Sequence, residues 1–370
     1  MNTAEMSNHS YWEREEWLKS PDLLIIGGGI VGASTALFYK KQFPSHDILI
    51  AERGQFPTGA STRNAGFACI GSISEHLADM ETASEETVLD RIERRWKGLK
   101  LLRQTMGDDS ISYVHTGGYE IFTNGDDFER CSKQIEYFNR VLKERLNIDR
   151  VYNSLTYSGY PAIYNSVEGA LNSGLLMRSL HSRLAREGVR TLWNSEALNV
   201  DSGEVTFRSG LKMNSEKIVV ATNGFTSHLT ETKVEPARGY IFTTKPIANL
   251  AWRGTFHFHE GYVYFRNIGD RLLLGGARHV ALQVERTDQF GINKKIRDWL
   301  IQFANETLNL PEDWEIDQEW SGIMGFTENK EPVVKKVKNG VWIAAGLSGM
   351  GIAIGMEVGR KMANLIADSR

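Results

Sequence analysis

The sequence predicts an α/β protein in which a Rossmann-like domain is interleaved with an α+β domain built on a largely antiparallel sheet. Three observations predict it. D-L-L-I-I-G-G-G-I-V-G, Asp22 to Gly32, is a buried-strand pattern running into a glycine-rich turn. I-L-I-A-E then ends in Glu52, twenty residues after Gly32. Two further apolar runs that end in glycine, I-V-V-A-T-N-G (Ile218 to Gly224) and V-W-I-A-A-G-L-S-G-M-G-I-A-I-G (Val341 to Gly355), lie far down the chain, with strand-rich stretches between.

The first two segments make one βαβ unit. A strand from Asp22 to Ile26 enters a G-x-G-x-x-G turn at Gly27, Gly29 and Gly32, and a helix from Ala33 to Lys41 leads to a second strand, Asp47 to Ala51. The three glycines divide the work: one makes the tight turn, one lets the backbone approach a pyrophosphate, and one lets helix and strand pack closely. The helix start offers unpaired N–H groups and a partial positive charge to phosphates, and the Glu52 carboxylate suits the two hydroxyls of an adenosine ribose. The candidate nucleotide-binding residues here are Gly27, Gly29, Ile30, Val31, Gly32, Glu52 and Arg53.

At 370 residues the chain is long enough for two domains at about 150 residues each. Its 43 basic and 46 acidic residues give no pull toward nucleic acid or an anionic membrane. Two cysteines, Cys69 and Cys131, argue against a disulfide framework or a cysteine zinc site, and a cytoplasmic compartment fits them. The N-terminal segment is polar and lacks an apolar signal core. The uncharged run Gly340 to Met356 falls short of the roughly 20 residues of a membrane span and holds several glycines, so it reads as a buried strand entering a turn.

Further along, Glu85 to Met106 is helical, with Leu99, Leu102 and Met106 at helical spacing, and S-Y-V-H-T-G-G-Y-E-I-F alternates like a strand pair around Gly117-Gly118. Asp126 to Leu146 reads as one helix and Leu175 to Glu187 as another, stopped by Gly188. Short strands from Thr191 to Val220, broken at Asp201-Ser202-Gly203 and Ser209-Gly210, form a meander, and Arg238 to Ala277 is strand-rich with a turn at Asn267 to Asp270. The division expected is an arm at 1–20, a nucleotide-binding domain at 21–110, 166–232 and 331–370, and a substrate domain at 111–165 and 233–330. Trp12 and Trp17 in the arm read as an amphipathic segment docked on the body.

Four segments in this order resemble the flavin-dependent amine and amino-acid oxidases of the D-amino-acid oxidase type, which include glycine oxidase, sarcosine oxidase and γ-glutamylputrescine oxidase. They are the glycine fingerprint, G-A-S-T-R-N-A-G from Gly59 to Gly66, V-V-A-T-N-G, and the closing run to Gly355. The resemblance implies FAD as cofactor. It places Ser61, Thr62, Arg63, Asn64, Ala65 and Gly66 beside the pyrophosphate and flavin ring, Ala221, Thr222 and Gly224 near the nucleotide, and Gly346, Gly349, Met350, Gly351 and Ile352 at the pyrimidine edge. Amides at a helix start suit that edge, because reduced flavin carries negative charge near N1 and O2. Only one nucleotide fingerprint is present, so electrons are expected from the substrate itself.

Departures from the resemblance narrow the substrate. Met324 and Gly349 stand where glycine oxidase has arginines, and Ala353 where sarcosine oxidase has a lysine. Met324 also matches the cysteine that links flavin covalently in sarcosine oxidase, which implies non-covalent FAD, and Leu273 matches the lysine that assists oxygen there. Met350 stands where γ-glutamylputrescine oxidase relatives often have histidine. A carboxylate normally needs a fixed cation, so these positions lead to the expectation of a small amine or N-substituted amine. Such a substrate would be oxidised by hydride transfer to flavin and imine hydrolysis, with electrons passing to oxygen, releasing hydrogen peroxide, or to another acceptor.

In G-Y-V-Y-F-R, Tyr262, Tyr264 and Arg266 fall on one strand face and Val263 and Phe265 on the other. Tyr262, Tyr264, Arg266 and Met324 are the candidate catalytic residues, with Tyr240, His257 and His259 weaker ones. His257 and His259 alternate on a strand, but no third ligand is evident, so no metal is expected. Two other readings stand beside this one. The first is a flavin-dependent amino-acid or 2-hydroxy-acid dehydrogenase, with Arg266 or Arg278 holding a carboxylate; the second is a flavoprotein module serving a partner enzyme.

Overall fold

The computed structural model describes residues 9–369. The chain divides into two compact units, Met1–Thr62, Gly174–Ala237 and Ile323–Arg370 in the first, and Arg63–Ser173 and Arg238–Gly322 in the second.

In the first unit, a six-stranded sheet has the order Val333–Lys338, Val341–Ala345, Ile218–Val220, Leu23–Ile26, Ile48–Ala51, Arg190–Leu192. All its pairings are parallel except that of the edge strand Val333–Lys338. Strands covered on both faces read as continuous apolar runs, which is why Leu23–Ile26 and Ile48–Ala51 are buried throughout. Leu24, Ile26, Leu49, Ile218 and Ile343 pack with Val200, Val205, Phe207 and Met213 of a small antiparallel meander, Ala197–Asp201, Glu204–Phe207 and Lys212–Asn214. Two helices, Ile30–Gln42 and Gly351–Ala367, pack against each other. Glycine at 359 allows this, because a Cβ there would stand 2.8 Å from the Val31 carbonyl oxygen.

An eight-stranded sheet, most of whose residues belong to the second unit, has the order Ile316–Phe326, Glu235–Thr244, Arg271–Gly276, Val263–Ile268, Thr255–Phe258, Gly118–Ile121, Tyr160–Asn165, Tyr152–Tyr157. Phe256 and Phe265 face each other across neighbouring strands and stack at 4.7 Å. With Phe242, Leu272 and Leu274 they form a core closed by Ile296, Leu300 and Phe303 of the helix Lys294–Glu306. The period-two alternation read from Gly261 to Arg266 is present: Val263 and Phe265 enter this core, while Tyr264 and Arg266 take the opposite face.

Several expectations are corrected. There is no strand pair around Gly117-Gly118. The single strand Gly118–Ile121 pairs instead with the distant Tyr160–Asn165 and Thr255–Phe258. The helix expected from Asp126 to Leu146 is two, Gly125–Ser132 and Ile135–Leu146. Only the middle three of the strands between 190 and 220 make the meander, since Arg190–Leu192 and Ile218–Val220 join the parallel sheet. Residues 63–110, assigned by sequence to the nucleotide-binding domain, lie in the second unit. Trp12 and Trp17 are not docked, being 71% and 56% exposed; the arm is held by its backbone, with Arg190 Nη1 donating to the Trp17 carbonyl at 2.6 Å.

Candidate functional site

The candidate cofactor residues are divided between the units. In the first unit the fingerprint glycines meet three different demands. Gly27 has φ of +107°, in the region that favours glycine, and a Cβ there would lie 2.6 Å from the Ala221 oxygen. A Cβ on Gly32 would stand 2.0 Å from the Gly27 oxygen, so only a bare backbone lets helix and strand meet. Gly29 by contrast has only the Ser61 side chain near it. The Ser61 hydroxyl accepts from the Ile30 N–H at 2.9 Å, while Thr62 Oγ1 donates to the Pro57 carbonyl at 2.5 Å.

Glu52 is buried with its carboxylate held by backbone: Oε2 accepts from the Gly28 N–H at 2.8 Å and Oε1 from the Gly54 N–H at 3.0 Å. Each oxygen keeps a further lone pair, which is what a ribose diol requires. Arg53 lays its guanidinium over the Phe225 ring at 3.7 Å. Ala221 donates its N–H to the Ile26 carbonyl at 2.8 Å, and the Thr222 and Thr226 hydroxyls lie 3.2 Å apart. At Gly224 a Cβ would fall 2.6 Å from the Met324 oxygen. Gly346 (φ +81°) and Gly349 (φ +86°) shape the loop before Gly351–Ala367, and the space about Gly349 is open. Met350 caps that helix without a side-chain hydrogen bond, and Ile352 is buried in its first turn.

These features fit FAD. Open space surrounds Gly349 before the second helix, only the Ser61 side chain stands against Gly29 at the start of the first, neither helix is capped by the side chain of its own N-cap residue, and an amide-held carboxylate closes the second strand. Gly27 to Gly32, Glu52 and Ser61 would hold the adenosine diphosphate part, and Gly346 to Ile352 the flavin pyrimidine. We expect Glu52→Gln to weaken FAD binding by about 1–3 kcal/mol, the scale of a hydrogen bond to a charged group. Titration of apoprotein with FAD reads this directly, and equal affinities for the variant and wild type would leave Glu52 with only its backbone-holding role.

Two residues outside the sequence-based set belong to this constellation. Asn223 (φ 47°) accepts through Oδ1 from the Gly346 and Leu347 N–H groups at 3.0 and 3.4 Å, tying the V-V-A-T-N-G turn to the closing loop. The asparagine in that motif was the available signal. His181 Nε2 donates to the Gly28 carbonyl at 2.7 Å, and burial lowers its pKa; nothing in the helix Ser173–Arg186 marks it locally.

In the second unit, Arg63 ends a short helix, Ala60–Arg63, within the expected loop. Its Nη1 donates to the Ser321 carbonyl at 2.8 Å and its guanidinium stands over Phe290. Asn64 Oδ1 accepts from the Gly66 N–H at 2.8 Å and from the Ser173 hydroxyl at 2.6 Å, fixing the Ala65-Gly66 turn, where Gly66 has φ of +75°. Arg266 holds that turn from the sheet: Nη1 donates to the carbonyls of Ala65, Gly66 and Leu171 at 3.3, 3.0 and 2.9 Å. Among the described residues it has no carboxylate partner and its Nη2 has no hydrogen bond; burial pulls its pKa down to about 10.

Tyr264, two residues before Arg266, touches the Phe67 ring edge-on at 5.8 Å, and burial pushes its phenol up to about 12. Tyr262 precedes the strand and faces His279, with ring centroids 5.3 Å apart. Arg278 sits on the turn Arg278–Ala281, its pKa lowered by burial. Tyr240 is consumed in the fold, donating to Glu319 Oε2 at 2.5 Å. His257 and His259 do not form a pair of alternating strand ligands, because His259 lies past the strand end with φ of 52°. His257 instead meets Glu168 at 2.8 Å.

The first unit carries an adenosine-type fingerprint on a parallel sheet, and the second a sheet face bearing aromatic residues and an arginine, features that suit a flavin-dependent oxidoreductase. Residues 22–365 match the model of the DAO family, FAD dependent oxidoreductase, and the chain belongs to that family. It is similar to a D-amino acid dehydrogenase of Helicobacter pylori, 24% identical over 94% of this chain and 95% of that protein. Among solved structures it resembles glycine oxidase from Bacillus cereus (TM-score 0.73, 20% identity, 95% of this chain and 96% of that one). It also resembles iminodiacetate oxidase from Chelativorans sp. BNC1 (TM-score 0.75, 17% identity, 94% and 95%). The protein is thus an FAD-dependent oxidoreductase. No helix among the described residues is long and apolar enough to cross a membrane.

Proposed function

We propose that this enzyme oxidises the carbon–nitrogen bond of a small amino acid or N-substituted amino acid, with the substrate carboxylate held by Arg266. In this reading the first unit binds the cofactor and the second the substrate. The carrying observation is Arg266 itself: a guanidinium fixed by four carbonyls, those of Ala65, Gly66 and Leu171 on Nη1 and that of Asn267 on Nε, without a carboxylate partner among the described residues and with Nη2 unengaged. A desolvated cation of this kind is compensated by an anionic ligand. Arg266 thus offers from the sheet the positive charge that Met324, Gly349 and Ala353 lack, and the expectation of a carboxylate-free amine gives way to this reading. The name of the Helicobacter pylori relative points the same way.

FAD supplies the hydride acceptor. With the carboxylate on Arg266 and the neutral Tyr264 phenol beside it, the substrate amine binds unprotonated, and its lone pair forms the C=N bond as the α-hydride leaves, so no dedicated base is needed. Water then hydrolyses the imine to a carbonyl compound and the free amine or ammonia.

The test is anaerobic flavin bleaching by paired substrates that differ only in the α-carboxylate. Faster reduction by the carboxylate-bearing member is expected; faster reduction by the plain amine restores the amine reading, and bleaching by a hydroxy acid alone overturns both. Admitting oxygen or a dye to the reduced enzyme then identifies the electron acceptor, hydrogen peroxide marking an oxidase. Acid precipitation should release all the flavin, because position 324 is methionine. Yellow colour left in the washed pellet would show a covalent link.

A further inference from the structure

We propose that Cys69, Glu168 and His257 form a buried site for a single divalent ion of the zinc type, a structural clamp distinct from the flavin chemistry. The three residues come from three places in the second unit: just after Phe67–Ala68, the turn following Tyr160–Asn165, and the strand Thr255–Phe258. Their thiol, carboxylate and imidazole donor atoms all lie within 4.8 Å of one another, and all three residues are buried. Sulfur, nitrogen and oxygen donors of this kind are the set that zinc accepts at about 2.0–2.3 Å, which puts ligand atoms about 3.3–3.6 Å apart in a tetrahedron. With water as fourth ligand, these three donors would complete such a site.

The surroundings favour an ion over a simple His–Glu pair. Glu168 Oε1 is held by Asn165 Nδ2 at 3.1 Å and the Ile70 N–H at 3.3 Å, which orients the carboxylate as an outer shell does for a metal ligand. Gly118 leaves room for it, since a Cβ there would stand 2.0 Å from Glu168 Oε2. Two more carboxylates, Glu75 and Glu120, act on His257 electrostatically, and Arg95 is taken by Glu75 at 3.0 Å. A buried cysteine that is merely structural packs as a small apolar group, whereas Cys69 stands among a carboxylate and an imidazole. The clamp would join segments that carry Phe67 and, through the cross-strand pair His257–Tyr264, the candidate substrate face.

The test uses untagged, FAD-loaded enzyme, stripped with a chelator and titrated with zinc sulfate against a chromophoric competitor, with thermal unfolding followed in parallel. One zinc per chain and a raised melting temperature are expected. Cys69→Ser and His257→Gln should each weaken binding by about a hundredfold, with the flavin spectrum confirming that each variant folds. His279→Gln should not change uptake, which controls for the neighbouring His259–His279 pair, whose rings lie 4.7 Å apart. Should the variants fail to fold, the zinc-edge X-ray absorption of wild type decides: a sulfur scatterer supports the site, and nitrogen and oxygen alone overturn it. Absence of stoichiometric binding, or equal binding in Cys69→Ser, also overturns it.

Discussion

Arg266→Met is expected to slow anaerobic flavin reduction by a carboxylate-bearing substrate by about 30- to 4,000-fold, the equivalent of the roughly 2–5 kcal/mol lost when one partner of a desolvated charge pair is truncated. In the same variant a carboxylate-free amine should reduce the flavin at nearly the wild-type rate. This contrast matters because Arg266 has a second job, holding the carbonyls of Ala65, Gly66 and Leu171. Loosening that turn would harm every substrate alike and weaken FAD binding as well. A uniform loss across both substrates would therefore make Arg266 a clamp for the turn and remove it as the carboxylate anchor. Stopped-flow absorbance at the flavin band, with FAD content measured on the same samples, separates the two.

Arg238→Met is expected to cost about 3–5 kcal/mol of stability, because it strands a buried carboxylate. Glu285 is fully buried, and Arg238 grips it with two bonds, Nε to Oε2 at 2.8 Å and Nη2 to Oε1 at 2.9 Å, with Asn293 Nδ2 adding a third at 2.7 Å. The double variant Arg238→Met, Glu285→Leu should recover most of the loss, since an apolar pair of similar volume is often neutral in such a place. Burial alone would raise the Glu285 carboxyl, but the bonds from Arg238 and Asn293 outweigh it and hold the group below its ordinary value. A folded value below the unfolded one, about 4.3, means that this contribution is present above that pH and lost as pH falls through the lowered value. The stability gap between wild type and the double variant should accordingly be flat near neutrality and move against wild type on acidification. Urea unfolding at several pH values measures it, and an Arg238→Met penalty under about 1 kcal/mol, the range of an exposed pair, would refute the argument.

What the sequence determined by itself is local. The fingerprint from Asp22 to Gly32, the helix Glu85–Met106 and the alternation from Val263 to Arg266 are set by residues in contact along a few turns or one pleat, so spacing alone reveals them. The hairpin Tyr152–Tyr157 and Tyr160–Asn165 carries such a signal too, in Ser158 and Gly159, both with positive φ as a two-residue hairpin turn requires. The tertiary structure decided everything that depends on distant partners. Gly118–Ile121 looked like half of a local hairpin, yet its edges are satisfied by strands more than thirty residues away in one case and more than a hundred in the other. Residues 63–110 follow the nucleotide unit in sequence but pack with the second one. The roles open to Arg266 and His257 turn on which carbonyls and carboxylates stand opposite them, and no periodicity along one strand encodes the chemistry of a facing loop.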